Sequence, residues 1–374
     1  MEKFSPPVIA LNSRDKITLE FDQLGKETKN FFIKILHCNA DWKESNLSSL
    51  DFLGEYNEFI ITDYQLSLDT KVPYIHYQIQ MPKIILSGNY LAVVYEEGYP
   101  ENYVLTRRFL VYDNLVSITP PDNITGMSTL DGHRINFNIL YTNYEIENPY
   151  EYVKVTLRQN NRWDNMISDI KPRMVREEQK KLEYMFFDHS NTFNPGNEFR
   201  YFDLRSIVSP GQFVLNLDRM ATPYMANIIP DKPRTGLAYT YTPDYNGWYL
   251  ISNRDSGNSD YYGDYVKVSF TLEANEPYNG DVYIQGALTN WKMSEENRMV
   301  YSAEQRAYQC TLLLKQGWYD YQYVIKEPTG KITNLEGNFI DTENYYEIAV
   351  YYTPPASRSD LLVGYYRFGI NQRP

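Results

Sequence analysis

The chain is poor in the residues that most chemistry and most covalent bracing require. Of its 374 residues only two are cysteine, Cys38 and Cys310. Thiols this far apart in sequence make no disulfide framework, and no CxxC occurs. One long-range bridge stays open as an option. Two unpaired buried thiols are the expectation, with Cys38 acting as a small hydrophobe in an apolar run. Histidine is as scarce, with four: His37, His76, His133 and His189. None forms HxH, HExxH or a Cys/His metal spacing, so no metal and no cofactor is expected. GxSxG, Walker and GxGxxG patterns are missing too. No apolar run approaches the ~18 residues of a membrane helix, and no long amphipathic helix is evident. Basic clusters are absent and the net charge is −12, which disfavours nucleic acid and anionic membrane surfaces as partners.

What is abundant is tyrosine, at 36 residues, as many as lysine and arginine together. Tyrosine suits a pleated, half-buried surface, because its ring packs while its hydroxyl reaches a polar partner. It also offers contact area at little entropic cost, which suits recognition surfaces. The plainer assignment, structural tyrosines on sheet faces, carries more weight.

Period-two alternation recurs between turn residues. Ile17-Thr18-Leu19-Glu20-Phe21, Phe31 to Cys38, Tyr74 to Met81, Tyr90 to Tyr95 and Thr106 to Tyr112 form a first set. Pro120-Pro121-Asp122-Asn123 marks a boundary. Arg134 to Ile139, Val153 to Leu157, Leu182 to Phe187 and Glu198 to Asp203 follow, with Val175 to Lys181 as a solvated turn. Tyr265 to Leu272, Asp281 to Gly286, Ala307 to Leu314, Tyr319 to Ile325, Tyr346 to Tyr352 and Leu361 to Tyr366 close the chain. Short strands at this spacing predict an all-β protein of tandem immunoglobulin-like or early-set β-sandwiches with few or no long helices. The expected spans are 1–115, 116–262 and 263–374.

Chemistry is hard to find in this pattern. His37, Cys38 and Asp41 sit close in sequence as a His/Cys/Asp candidate, but Asn39-Ala40-Asp41-Trp42 reads as a turn with an anchoring Trp. With 48 acidic residues a glycosidase-type carboxylate pair is conceivable, yet none is singled out. No catalytic residue is therefore assigned and no enzyme is expected. Asn46-Leu47-Ser48 and Asn123-Ile124-Thr125 match the glycosylation sequon, a pattern too short to build on. The opening Met1-Glu2-Lys3-Phe4 has no apolar stretch behind it. It fits a cytoplasmic chain or a mature chain whose leader has been removed.

Two resemblances add to this reading. Val282 to Trp291, followed by Gly317-Trp318-Tyr319-Asp320-Tyr321-Gln322-Tyr323, resembles the early-set domains of glycogen-binding modules. That likeness implies Trp291 and Trp318 as sugar-stacking rings, or as rings that pin the sandwich. A longer ordered set resembles the type IX secretion system plug protein family. It runs through His37 to Trp42, Val72 to Tyr77, Ser87 to Leu91, Leu105 to Phe109 and Arg162 to Asn165. It continues through Gly196 to Asp203, Glu336 to Phe339 and Thr342 to Asn344. The resemblance implies a periplasmic, non-enzymatic protein that docks on the periplasmic mouth of a large outer-membrane translocon barrel. It would seal that pore when nothing is exported, would be monomeric alone, and would ordinarily carry a signal peptide. Carbohydrate binding through the C-terminal domain is the alternative.

Overall fold

The computed structural model describes residues 5–119 and 132–373. The Pro120-Pro121 boundary and the Asn123 sequon lie outside the described residues. Helix is confined, among the described residues, to three four-residue turns and two 3-10 turns. The rest of the regular structure is strand, and its burial follows the alternation. In Phe31–Cys38, the side chains of Phe31, Ile33 and Ile35 are buried while Phe32, Lys34 and Leu36 are half-exposed, because successive side chains leave a strand on opposite faces. The stretch 175–182 is a hairpin. Met174–Arg176 and Lys181–Tyr184 pair antiparallel around the 3-10 turn Glu177–Gln179.

The chain builds three two-sheet sandwiches. In the N-terminal unit, five strands run in the order Val8–Ala10, Tyr103–Tyr112, Gly88–Glu96, Phe31–Cys38, Phe59–Ile60. They cover Thr18–Leu24, Tyr74–Gln80 and Asp63–Leu66. Ile33, Ile35, Tyr90, Val94, Ile75 and Tyr77 fill the space between.

The remaining two cores cut across the expected spans 116–262 and 263–374. The middle unit joins a four-stranded sheet from residues 117–184 to Val153–Gln159, Asn344–Tyr352 and Leu361–Ile370. Val153–Gln159 pairs antiparallel with Asn344–Tyr352 in full register, Val153 opposite Tyr352 and Gln159 opposite Tyr346. Its core therefore mixes Phe137, Val155 and Tyr184 with Tyr346, Val350 and Val363. The third unit, whose core runs from Phe202 to Leu335, is inserted between these halves. There Gly317–Lys326 is the central strand, paired with Arg200–Asp203, Tyr249–Ile251, Asp281–Gln285 and Ile332–Asn334. The facing sheet holds Val214–Asp218, Tyr224–Ile228, Tyr265–Glu273, Ala307–Lys315 and Val300–Ser302. Strand alternation reports a residue's own two faces and nothing about a partner 190 residues away, which is why the nesting is invisible locally.

The tyrosines serve this packing. Tyr74, Tyr77, Tyr90, Tyr184, Tyr323 and Tyr346 are among the largest fully buried side chains. All but the Tyr184 hydroxyl find partners, as when Tyr90 donates to the Leu86 carbonyl and Tyr323, like its neighbour Tyr321, donates to Asp231. A buried phenol satisfied in this way avoids the cost of an orphaned donor.

Buried polar groups brace the three units against each other. The Asp360 carboxylate accepts the Ala40 N–H at 2.9 Å and the Lys154 ammonium at 2.9 Å, while its own N–H donates to Asn39. This ties the N-terminal and middle units. Asp22 of the N-terminal unit meets Lys315 of the inserted unit at 2.6 Å, with Tyr265 donating to the same carboxylate. Asp264 accepts the Lys71 and Val72 N–H groups beside it. Between the middle and inserted units, Trp248 Nε1–H donates to the Asn160 carbonyl at 3.1 Å.

Candidate functional site

Four of the five tryptophans converge where the three units meet. Three sit on turns that follow a strand, and Trp248 sits on one that leads into a strand. Trp42 closes the turn after Phe31–Cys38, its N–H donating to the Asn39 carbonyl at φ 64°. Trp163 follows Val153–Gln159, after the left-handed pair Asn160 and Asn161. Trp248 ends the turn Tyr245 to Trp248. Trp291 follows the 3-10 turn Ala287–Thr289, again left-handed at φ 60°. They line a cleft of about 750 Å³.

The rings are locked by one another and by arginine. Trp42 and Trp163 meet edge to face at 4.7 Å across the unit boundary. Arg108 lies 4.6 Å from the Trp42 ring and 5.1 Å from the Trp163 ring. Arg158, paired with Glu347 at 2.6 Å, covers Trp163 at 3.7 Å. Arg162 covers Trp291 at 4.0 Å. A guanidinium over an indole face contributes up to ~2 kcal/mol when desolvated. Burial draws the Arg108 guanidinium below its ordinary range, with Arg158 adding to the effect. The Trp42, Trp163 and Trp291 rings thus each already carry a cation.

The floor under Trp291 depends on a glycine. A Cβ at Gly247 would stand 2.4 Å from the Trp291 ring and 2.8 Å from Phe199, and φ is +82°. Two buried carboxyls shape the same turn. Burial pushes Asp320 up to about 7, and burial together with the Asp320 charge holds Asp244 well above the usual carboxylate range. Such a pair resembles a catalytic dyad on electrostatics alone. All four oxygens are engaged, however. Asp244 accepts from the Phe199 and Asn246 N–H groups, and Asp320 from the Tyr245 and Gly247 N–H groups and from Trp318 Nε1–H. Neither residue lines the cleft. They hold a turn.

The residues singled out in sequence do not assemble. Burial drops the His37 imidazole to about 4 and lifts the Cys38 thiol to about 11, so one is a neutral base and the other an inert thiol at neutral pH. Asp41 is exposed and pairs with Lys43 at 2.9 Å. Both cysteines are free, Cys38 buried and Cys310 half-buried. Asn46 is exposed. His133 is buried against Tyr346 and His189 lies in an exposed turn. Trp291 is only 8% exposed. Trp318 stacks on Tyr201 at 4.2 Å, with Arg205 5.2 Å from its ring, and it stands outside the Trp291 cleft. The two rings form no common sugar platform.

Among the described residues, Glu20, His76 and Asp260 are the one group whose ligand atoms could surround a metal ion. His76 Nδ1 is already bonded to Asp22 at 2.7 Å, and the Lys315 ammonium already neutralises that acidic cluster. Burial draws the Lys315 ammonium below its ordinary range, against the upward pull of Asp22 and Asp260. The grouping is a brace between two units.

The cleft itself was legible only in parts. Trp42 and Trp163 belong to segments singled out for family likeness, and Trp248 drew no notice. The available signal was the repeated placement of Trp beside Asn or Asp in a turn next to a strand.

The architecture defines a class first: an all-β protein of three braced sandwiches. Residues 1–113 match the family described as type 9 secretion system plug protein 1st domain. Through that domain the chain belongs to the type 9 secretion system plug family. This is not an enzyme family, and its membership points to a plug-related role in type 9 secretion and to the periplasm and outer membrane. No helix among the described residues is long and apolar enough to cross a membrane. The crystal structure of a hypothetical protein from Parabacteroides merdae ATCC 43184 is similar throughout. It shares 31% identity and a TM-score of 0.91, over 98% of this chain and 94% of that one. A marsupial T cell receptor aligns over 98% of both chains at 8% identity, with a TM-score of 0.14 that carries no argument. No curated protein matches the chain.

Proposed function

We propose that this protein is a non-catalytic periplasmic plug that docks on the periplasmic mouth of the type 9 translocon barrel and seals its pore between export events. The observation that carries the reading is the match of residues 1–113 to the plug first domain. Physical support comes from the bracing. A stopper must resist deformation and need do no chemistry. Here each pair of units is joined by buried polar contacts through Asp360, through Asp22 and Lys315, and through Trp248.

Co-purification tests this directly. Tagged protein recovered from outer membranes of a host expressing the secretion system should bring down a large barrel protein. Loss of any such partner under those conditions overturns the docking. A deletion strain should become permeable to large hydrophilic antibiotics, and an intact barrier would contradict sealing. Glycan binding through the inserted unit lacks an exposed ring platform at Trp291. Unretarded migration in a glycogen gel is the expected result.

A further inference from the structure

The cleft has one wall that is not made of side chains alone. Six consecutive residues, Tyr103 to Arg108, line it. Consecutive residues of a strand can do so only where its edge faces the space. On that edge the strand Tyr103–Tyr112 pairs in parallel with Val8–Ala10, which reaches only Leu110 to Tyr112. The last bond of this ladder is Leu110 N–H to the Pro7 carbonyl at 2.9 Å. Pro6 and Pro7 have no N–H with which to extend it. By the two-residue period, the N–H and C=O groups of Arg108 and Thr106 point the same way as those of Leu110. Among the described residues, the Thr106 carbonyl receives only the Arg107 guanidinium at 3.0 Å. Tyr103 and Val104 are about half exposed, at 49% and 55%. An open strand edge is a template for another strand.

The charge of the cleft is opposite to that of the protein. Among the described residues its lining includes Arg107, Arg108, Arg158 and Lys292 and no carboxylate, in a chain of net charge −12. Among the described residues, only Arg158 of these has a carboxylate partner. Two buried polar atoms on the wall also lack partners. Trp42 Nε1–H is a donor, and Asn161 Oδ1 is an acceptor on a residue only 8% exposed. Donors, an acceptor and guanidinium groups without a carboxylate, beside a ladder edge with no further partner among the described residues, match a peptide carrying carboxylates. They match a sugar less well, since arginine lies against the Trp42, Trp163 and Trp291 rings it would stack on.

We propose that the cleft receives an extended acidic polypeptide segment of a partner protein, which adds as a strand along Tyr103 to Arg108 and sets its carboxylates against Arg108, Arg107 and Lys292. The plug reading enters only in saying which protein supplies the segment. Main-chain bonds would give affinity and the arginines would give selectivity, as in other strand-addition sites.

The test uses the full chain and a fluorescein-labelled decapeptide alternating valine with aspartate, read by anisotropy. The acidic probe should bind, and a probe with lysine at every aspartate position should bind at least tenfold more weakly. Arg108→Gln should weaken the acidic probe by tenfold or more. Acidic probe methylated on alternate backbone nitrogens should also lose tenfold or more, which separates strand addition from charge alone and needs no protein variant. Equal binding of acidic and basic probes, or indifference to both Arg108→Gln and N-methylation, overturns the proposal. Displacement of the probe by maltoheptaose would assign the cleft to glycan and overturn it too. Failure here with the barrel still co-purifying removes this inference and leaves the plug reading. Success here without the barrel does the reverse.

Discussion

Replacing Lys315 by Met removes one member of a buried ion pair that joins the N-terminal and inserted units. The Lys315 and Asp22 side chains are 6% and 7% exposed and lie 2.6 Å apart. Taking away one partner of such a pair costs ~3–5 kcal/mol, because the other charge stays buried without compensation. Asp22 keeps its bonds to His76 and Tyr265, so the lower end, about 3 kcal/mol, is expected. The variant also loses the ammonium 4.1 Å from the Tyr74 ring and its bond to the Asp260 carbonyl. Urea denaturation followed by tryptophan fluorescence measures the loss. The transition should become biphasic as the N-terminal unit loses its hold on the inserted one. Hydrogen exchange should rise at 67–74 and 259–265, the segments that face each other here. Adding Asp22→Asn should restore ~1–3 kcal/mol relative to the sum of the single variants, since contacting charges couple. A loss under about 1 kcal/mol, with one sharp transition, would refute the idea that this pair holds the units together.

The turn beneath Trp291 gives a second outcome. Gly247→Ala places a methyl 2.4 Å from that ring in a left-handed conformation. It should cost roughly 2–5 kcal/mol from conformational strain and overpacking together, with a shifted tryptophan emission. A melting temperature within 2 °C of the parent would contradict it. The third concerns pH. Folded Asp320 holds its proton up to about 7, while the unfolded chain releases it near 3.8. Between these values the folded state binds more protons, so stability should fall as pH rises from about 4 to about 7, by at most ~4 kcal/mol. Asp320→Asn should cost the Trp318 hydrogen bond and flatten that slope in denaturation midpoints. A slope unchanged by the substitution would count against the assignment.

Much of the fold was visible in residue order because alternation is a local signal. Phe31–Cys38 and Tyr265–Glu273 alternate cleanly, and both are central strands with one face in a core. Val214–Asp218 passed unread because four of its five residues are exposed or partly so. The division into units misled for a different reason. Asn344–Tyr352 reads as a strand wherever it pairs, and its register with Val153–Gln159 is fixed by contacts far apart in sequence. The cleft was unreadable for the same reason. Each tryptophan announces a turn, and only the bracing of three units brings the turns together. Asp22 and Lys315, 293 residues apart, gave no local sign of being partners.

The nested middle unit has a consequence for how the chain is made. Biosynthesis and export deliver a polypeptide end first, and domains usually fold as units while the remainder follows. The N-terminal unit and the inserted unit can each close once their own strands have emerged. The middle unit cannot, because Tyr346, Val350 and Val363 of its core arrive near the very end. Until then the wall opposite Phe137 and Tyr184 is the single strand that carries Val155. The brace that carries Trp163 and Arg158 is therefore the last part to form, and the cleft opens for use only on a finished molecule. A chain interrupted at any point before residue 344 would leave that surface unmade.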